Sequence, residues 1–152
     1  MKITRRIAIV AFPVILLSGI LAGCSQVKTT ASSTVPVVTS QTTDVPTITV
    51  SDANTSIQKN SGNANFVLLD VRTADEFNSG HLAGAINLDY YAADFKANIA
   101  KLDKNKQYLV YCRTGIRGAA SVQIMLDLGF TKAQNMAGGI TEWTQEGYAV
   151  VK

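Results

Sequence analysis

Two kinds of apolar run alternate along the last two thirds of the chain. "FVLLD" (Phe66 to Asp70) and "QYLVY" (Gln107 to Tyr111) are unbroken apolar stretches, the pattern of strands buried on both faces. "TITV" (Thr47 to Val50), "GAINL" (Gly84 to Leu88) and "KAQNM" (Lys132 to Met136) read as shorter strands. Between them the spacing turns helical. Ser51 is the expected N-cap of a helix reaching Lys59, and Thr73 that of a short helix, "ADEFN", closed by Ser79-Gly80. "YYAADFKANIAKL" predicts a third helix. Ala119, Val122, Ile124, Met125 and Leu128 then predict one over Gly118 to Leu128, with Gly129 as its stop. "ITEWTQEG" is a last helix and "YAVV" a tail. Strands alternating with helices predict an α/β domain over residues 47–152, with a mainly parallel central sheet and helices on both faces.

The first 46 residues follow a different plan. Lys2, Arg5 and Arg6 precede an apolar run, and small residues lead to Cys24 in "SGILAGC". A basic start, a short apolar core and small residues make an export signal. Ile7 to Ala22 covers 16 residues with Pro13 inside, against roughly 20 needed to cross hydrocarbon. A spanning anchor is therefore disfavoured. "LAGC", Leu21 to Cys24, resembles the bacterial lipobox. That resemblance implies a signal peptide over residues 1–23 and a lipid on Cys24 of the mature chain. It places the protein on a membrane at the extracytoplasmic face, periplasmic where the cell has two membranes. From Ser25 to Pro46, ten of 22 residues are Ser or Thr and none is aromatic, too little apolar surface to fold. Residues 24–46 thus read as a lipid-anchored linker, which fully extended would reach about 70 Å.

Charge adds one exclusion. The net charge of +3 comes from 14 basic and 11 acidic residues, and three of the basic ones lie in the leader. What remains is balanced, so composition offers no case for nucleic acid. The single histidine, His81, rules out a histidine-rich metal site, and no cofactor is implied.

Cysteine usage then singles out one side chain. With Cys24 consumed by lipid, Cys112 is the sole thiol of the mature chain and has no intrachain disulfide partner, although exported compartments favour disulfides. It stands between the "QYLVY" strand and the helix after it, where open α/β sheets bind ligands. "RTGIRG" supplies backbone amides, glycines that let the chain curl, and a helix N-terminus, together an anion cradle. Arg113 and Arg117 are expected to add their charges. Such surroundings favour thiolate. A buried, inert cysteine is the alternative, but five polar, glycine-rich and basic residues make poor core. The expectation is an exposed, reactive sulfur at Cys112, with Arg113, Thr114, Gly115, Ile116 and Arg117 around the substrate.

Three stretches in order, "LLDVRTADEFNSGHLAGAINLD", "YCRTGIRGAA" and "MAGGITEWTQEGYAV", together resemble the rhodanese family. Ala83 and Ala149 stand where that family often has proline. The resemblance implies a sulfurtransferase: Cys112 takes a sulfane sulfur from a small donor such as thiosulfate, and a thiol or cyanide removes it from the persulfide. A non-catalytic rhodanese module that binds a partner or carries sulfur is the alternative. The loop also argues against a cysteine-dependent phosphatase or arsenate reductase. Cys112 to Arg117 is C-x4-R, whereas cysteine phosphatases carry C-x5-R.

The remaining polar residues are expected to be supporting. In the family the positions of Asp70 and Arg72 organise the fold beside the site through an ion pair or hydrogen bonds. His81 is expected to hold its loop, and Trp143 with Gly138 and Gly139 to pack the last helix. Asp75 and Glu76 answer the dipole of a helix's first turn and need no functional role.

Overall fold

The computed structural model describes residues 44–152. The expected signal peptide, Cys24 and the linker as far as residue 43 lie outside the described residues. Five strands alternate with five helices: β1 (Thr47–Ile48), α1 (Val50–Lys59), β2 (Phe66–Asp70), α2 (Ala74–Ser79), β3 (Ile86–Asn87), α3 (Phe95–Ala100), β4 (Gln107–Tyr111), α4 (Ile116–Asp127), β5 (Ala133–Met136) and α5 (Gly139–Gln145). All pairings between these strands are parallel and the strand order is β1-β5-β4-β2-β3. This is the expected α/β architecture.

Alternation along β4 divides the core in two. Tyr108, Val110 and Cys112 face one layer with Leu69, Val71, Phe95, Ile99, Val122, Met125 and Phe130. Leu109 and Tyr111 face the other with Val50, Ala53, Leu82, Met136, Ile140 and Trp143. Each large side chain so buried contributes about 1.5–3 kcal/mol. A sheet covered on both sides explains why β2 and β4 are apolar without interruption.

Several boundaries differ from the sequence expectation, each for a local reason. Thr49, not Ser51, caps α1: its hydroxyl accepts the Asp52 N–H at 3.1 Å, so the first strand stops at Ile48. The third helix begins only at Phe95. The Tyr90 N–H donates to the Val71 carbonyl and the Tyr91 N–H to the Asp89 carboxylate, bonds that hold this stretch out of a helix. α4 starts two residues early because Gly115, at φ 91°, turns the chain directly into it.

The topology fixes one crevice. From β2 the chain moves outward to β3, whereas from β4 it moves the opposite way to β5. The segments leaving β2 and β4 therefore diverge around a switch point, the usual ligand position in an open parallel sheet. Arg72 leaves from one lip and Cys112 from the other.

Candidate active site

Cys112 follows β4 directly, and its sulfur accepts the Gly115 N–H at 3.1 Å. The geometry needs a glycine. At φ 91° an added Cβ would sit 3.2 Å from the Gly138 nitrogen and 3.3 Å from the Met136 carbonyl oxygen. α4 continues from the same turn, the Gly115 carbonyl accepting the Ala119 N–H, so the positive end of its dipole lies beside the sulfur.

A second backbone segment presses on the loop from behind. Ile140 N–H donates to the Cys112 carbonyl at 2.9 Å and Thr141 N–H to that of Arg113 at 3.0 Å. Gly139 makes this approach possible, since a Cβ there would overlap the Cys112 carbonyl oxygen and the Arg113 backbone. Gly138 and Gly139 were expected only to pack the last helix. Here Gly139 and the two residues after it also fix where Cys112 and Arg113 stand. Gly118 closes the third side against Asn135, whose Oδ1 is buried with no hydrogen-bond partner among the described residues.

Two expectations about the site are corrected. Cys112 is only 1% exposed and packs into the layer beneath α4, so its sulfur is not open to solvent. The strand period decides this: Cys112 continues the inward-facing row of Tyr108 and Val110. Arg117 is also not a spare charge. Its two terminal nitrogens each meet an oxygen of Glu76 at 2.8 Å, and its guanidinium carbon lies 5.4 Å from the centre of the Tyr91 ring.

Glu76 thus has a role that its place in a helix's first turn concealed. It completes the Thr73 capping box and clamps the far end of the loop. The Arg117 hydrogen bonds, with the Thr73 backbone and the Arg117 charge, outweigh burial and hold its carboxyl down at about 2. The same pairing raises Arg117 above its ordinary value. Thr73-x-x-Glu76 is legible as a capping box, but nothing in the sequence announces a partner 41 positions away. Arg113 differs from its neighbours: it is exposed and its side chain makes no ion pair or hydrogen bond among the described residues. Thr114 is exposed, and Ile116 is 78% exposed at the tip of the loop.

Asp70 and Arg72 come together as a buried pair. Arg72 Nη2 lies 2.7 Å from Asp70 Oδ2, with exposures of 6% and 0% for the two side chains. Arg72 Nη2 also donates to the Gly80 carbonyl at 2.7 Å, and Asn87 Nδ2 donates to the carbonyls of Asp70 and Arg72. Burial works against the Arg72 charge, but the hydrogen bonds and charge of Asp70 more than offset it and raise Arg72 overall. Tyr111 abuts the pair. Its oxygen accepts the Leu82 N–H, and burial drives its hydroxyl well above the ordinary range. His81 stacks on Phe77 at 3.8 Å with Nδ1 against the Phe77 carbonyl, and its backbone bridges Val151. It holds its loop, as expected.

With this arrangement described, comparison with known proteins is informative. The family model of the Rhodanese-like domain matches residues 53–146. This chain belongs to that family. Its rhodanese-like domain is 31% identical to a rhodanese-related protein of Thermoplasma volcanium, at a TM-score of 0.59 covering 70% of this chain and 97% of the other. The thiosulfate sulfurtransferase GlpE of Coxiella burnetii is 34% identical over 77 residues, 51% of this chain and 70% of the relative. The mitochondrial protein HIGH ARSENIC CONTENT 1 of Arabidopsis thaliana is 32% identical over 91 residues, 53% of this chain. The match spans only about half of that relative's length, 54%.

Proposed function

We propose that the rhodanese-like domain is a sulfurtransferase working through a persulfide on Cys112. The observation that carries the reading is the Gly115 N–H aimed at Cys112 Sγ from 3.1 Å, at the head of α4. Donors fixed in place before reaction stabilise charge where it develops. In the first half-reaction the Cys112 thiolate attacks the outer sulfur of thiosulfate. The S–S bond of the donor breaks, sulfite leaves with the electron pair, and Cys112 carries the sulfane sulfur. In the second half-reaction cyanide or a thiol attacks that sulfur and regenerates the thiolate. Arg113 is the exposed cation for the anionic donor; Thr114, Gly115 and Ile116 form the curve around the transferred sulfur. Arg117 anchors the curve, and Asp70 with Arg72 supports it from β2. The relative named as a thiosulfate sulfurtransferase supports this choice of donor.

Thiosulfate:cyanide transfer by the chain from residue 44 onward is the test, with intact-protein mass spectrometry for the persulfide. The wild type is expected to gain one sulfur and turn over, and Cys112→Ser to do neither. Equal inactivity of both across several donors would defeat the enzyme reading. The 1% exposure of Cys112 favours the second reading, a module that binds a partner without turnover. On the enzyme reading the loop must open for the donor, so thiosulfate present in excess should slow alkylation of Cys112. The "LAGC" motif supports our further proposal that a lipid on Cys24 displays the domain at the extracytoplasmic membrane face. Palmitate-analogue labelling lost in Cys24→Ala is the expected result, and label retained in that variant overturns it.

A further inference from the structure

Cys112 stands in a row of side chains that crosses the sheet. Asp70 pairs with Asn87 on one side and with Tyr111 on the other. The ladder runs one step further, from the Val71 N–H to the Tyr111 carbonyl and from the Leu88 N–H to the Asp70 carbonyl. Leu88, Val71 and Cys112 are therefore successive neighbours, about 4.8 Å from strand to strand, and all three pack in the layer beneath α3 and α4. Beyond Leu88 the chain turns back over the sheet, the Tyr90 N–H donating to the Val71 carbonyl at 3.3 Å. Residues 88–91 thus cross toward the strand next to Cys112. Tyr90 packs against the layer that holds the sulfur and lies edge-on to Tyr91 at 5.5 Å. Tyr91 then reaches to α4, its ring centre 5.4 Å from the guanidinium carbon of Arg117. Arg117 is raised above its ordinary value first by its Glu76 hydrogen bonds, with smaller contributions from Cys112 and Tyr91, so both of these side chains act on one guanidinium.

The closures around the sulfur are unequal. Behind Cys112 and Arg113, Ile140 and Thr141 hold the loop by backbone hydrogen bonds at 2.9 and 3.0 Å. On the side of residues 88–91 the cover is made by side chains. Its outermost member, Tyr91, is 69% exposed, and exposed side chains exchange rotamers within nanoseconds. Its contact with Arg117 is the weak attraction of a ring and a cation at an exposed position. Arg117 itself is fixed, because Glu76 takes both its terminal nitrogens. A sulfur that is 1% exposed therefore has one side whose cover moves at little cost. We propose that Tyr91 is a gate: its ring, held over Arg117, limits by size what reaches the Cys112 sulfur. This makes Tyr91 a specificity-determining residue for whatever the sulfur does, in a sulfurtransferase and in a module without turnover alike.

The test is alkylation of Cys112 in the full chain at neutral pH, followed by mass spectrometry of the peptide that carries it. Iodoacetamide is the small reagent and N-ethylmaleimide the bulkier one. The readout is the ratio of their two rates in each variant against wild type, in which the reactivity of the sulfur itself cancels. Tyr91→Ala is expected to speed N-ethylmaleimide by about two- to fivefold, the weight of one exposed cation–π contact, and iodoacetamide by less. Tyr91→Phe keeps the ring and should match wild type with both reagents. The urea unfolding midpoint of Tyr91→Ala should stay close to wild type, as for other surface substitutions. Unchanged rates in Tyr91→Ala overturn the proposal. An equal gain for both reagents also overturns it, since access without selection is not a gate of this kind. So does a gain matched by lost stability, because the sulfur is then reached by unfolding. No sulfur donor enters the measurement, so the gate fails or stands independently of the sulfurtransferase reading.

Discussion

Two arginine–carboxylate pairs flank the Cys112 loop, and they differ in nearly everything but chemistry. Asp70 and Arg72 stand two residues apart at the end of β2 with almost no exposure, and the arginine has a further bond to the Gly80 carbonyl. Glu76 and Arg117 are 41 residues apart, with side chains 29% and 15% exposed. The first pair joins the β2 exit to the backbone after α2 and is enclosed with Tyr111. The second ties a helix on one lip of the crevice to the far end of the loop on the other. A buried pair has desolvation to overcome and is strongly destabilising when broken on one side; a partly exposed pair contributes less to stability. The difference assigns the inner pair to holding the fold and the outer pair to holding the loop.

The largest expected effect comes from breaking the inner pair on one side. Asp70→Asn leaves the Arg72 charge enclosed with no counter-charge, at a cost of about 3–5 kcal/mol. Urea unfolding of the variant should show a midpoint far below that of the wild type. Replacing both partners, Asp70→Asn with Arg72→Met, removes the stranded charge and should recover much of that loss. If the double variant is no more stable than the single one, the inner pair is not acting as an enclosed charge pair.

The outer pair should behave in reverse. Glu76→Gln is expected to cost less than Asp70→Asn, between the about 0–1 kcal/mol of an exposed pair and the about 3–5 kcal/mol of a buried one. The same change frees Arg117 and loosens the loop end, and displacement of a reacting group by about 1 Å costs up to about a hundredfold in rate. We expect about a tenfold slower loading of Cys112 from thiosulfate with an unfolding midpoint between those of the wild type and Asp70→Asn. Stability lost in proportion to rate would erase the distinction between the pairs.

Much of this was legible in the sequence, and the illegible part has a common cause. The strands β2, β4 and β5, the parallel sheet and the loop after Tyr111 all follow from local runs and spacing. The ion pair of Asp70 and Arg72 was legible only through the family resemblance. The role of Glu76 was not legible, because its capping-box position already satisfied every local argument and its second partner arrives through tertiary packing. The burial of Cys112 was misjudged for a related reason. Of the five residues after it only Ile116 is apolar, but period two carries the Cys112 side chain into the layer of Tyr108 and Val110. Side-chain direction outranked the composition of the following segment.

The smallest effect separates the two pairs by pH. In the folded protein the Glu76 carboxyl is held at about 2, against an ordinary value of 4.5. Its deprotonated form is therefore favoured by folding. The stabilisation is present in full above about pH 4.5 and is lost as pH falls toward about 2, where the folded state binds its proton too. Unfolding midpoints measured across that window should fall with acid, and in Glu76→Gln the slope should be shallower. Away from acid the two proteins should differ by the full cost of the substitution, and the gap should narrow as pH falls. Parallel acid limbs in the two proteins would show that Glu76 does not carry this acid-dependent stability.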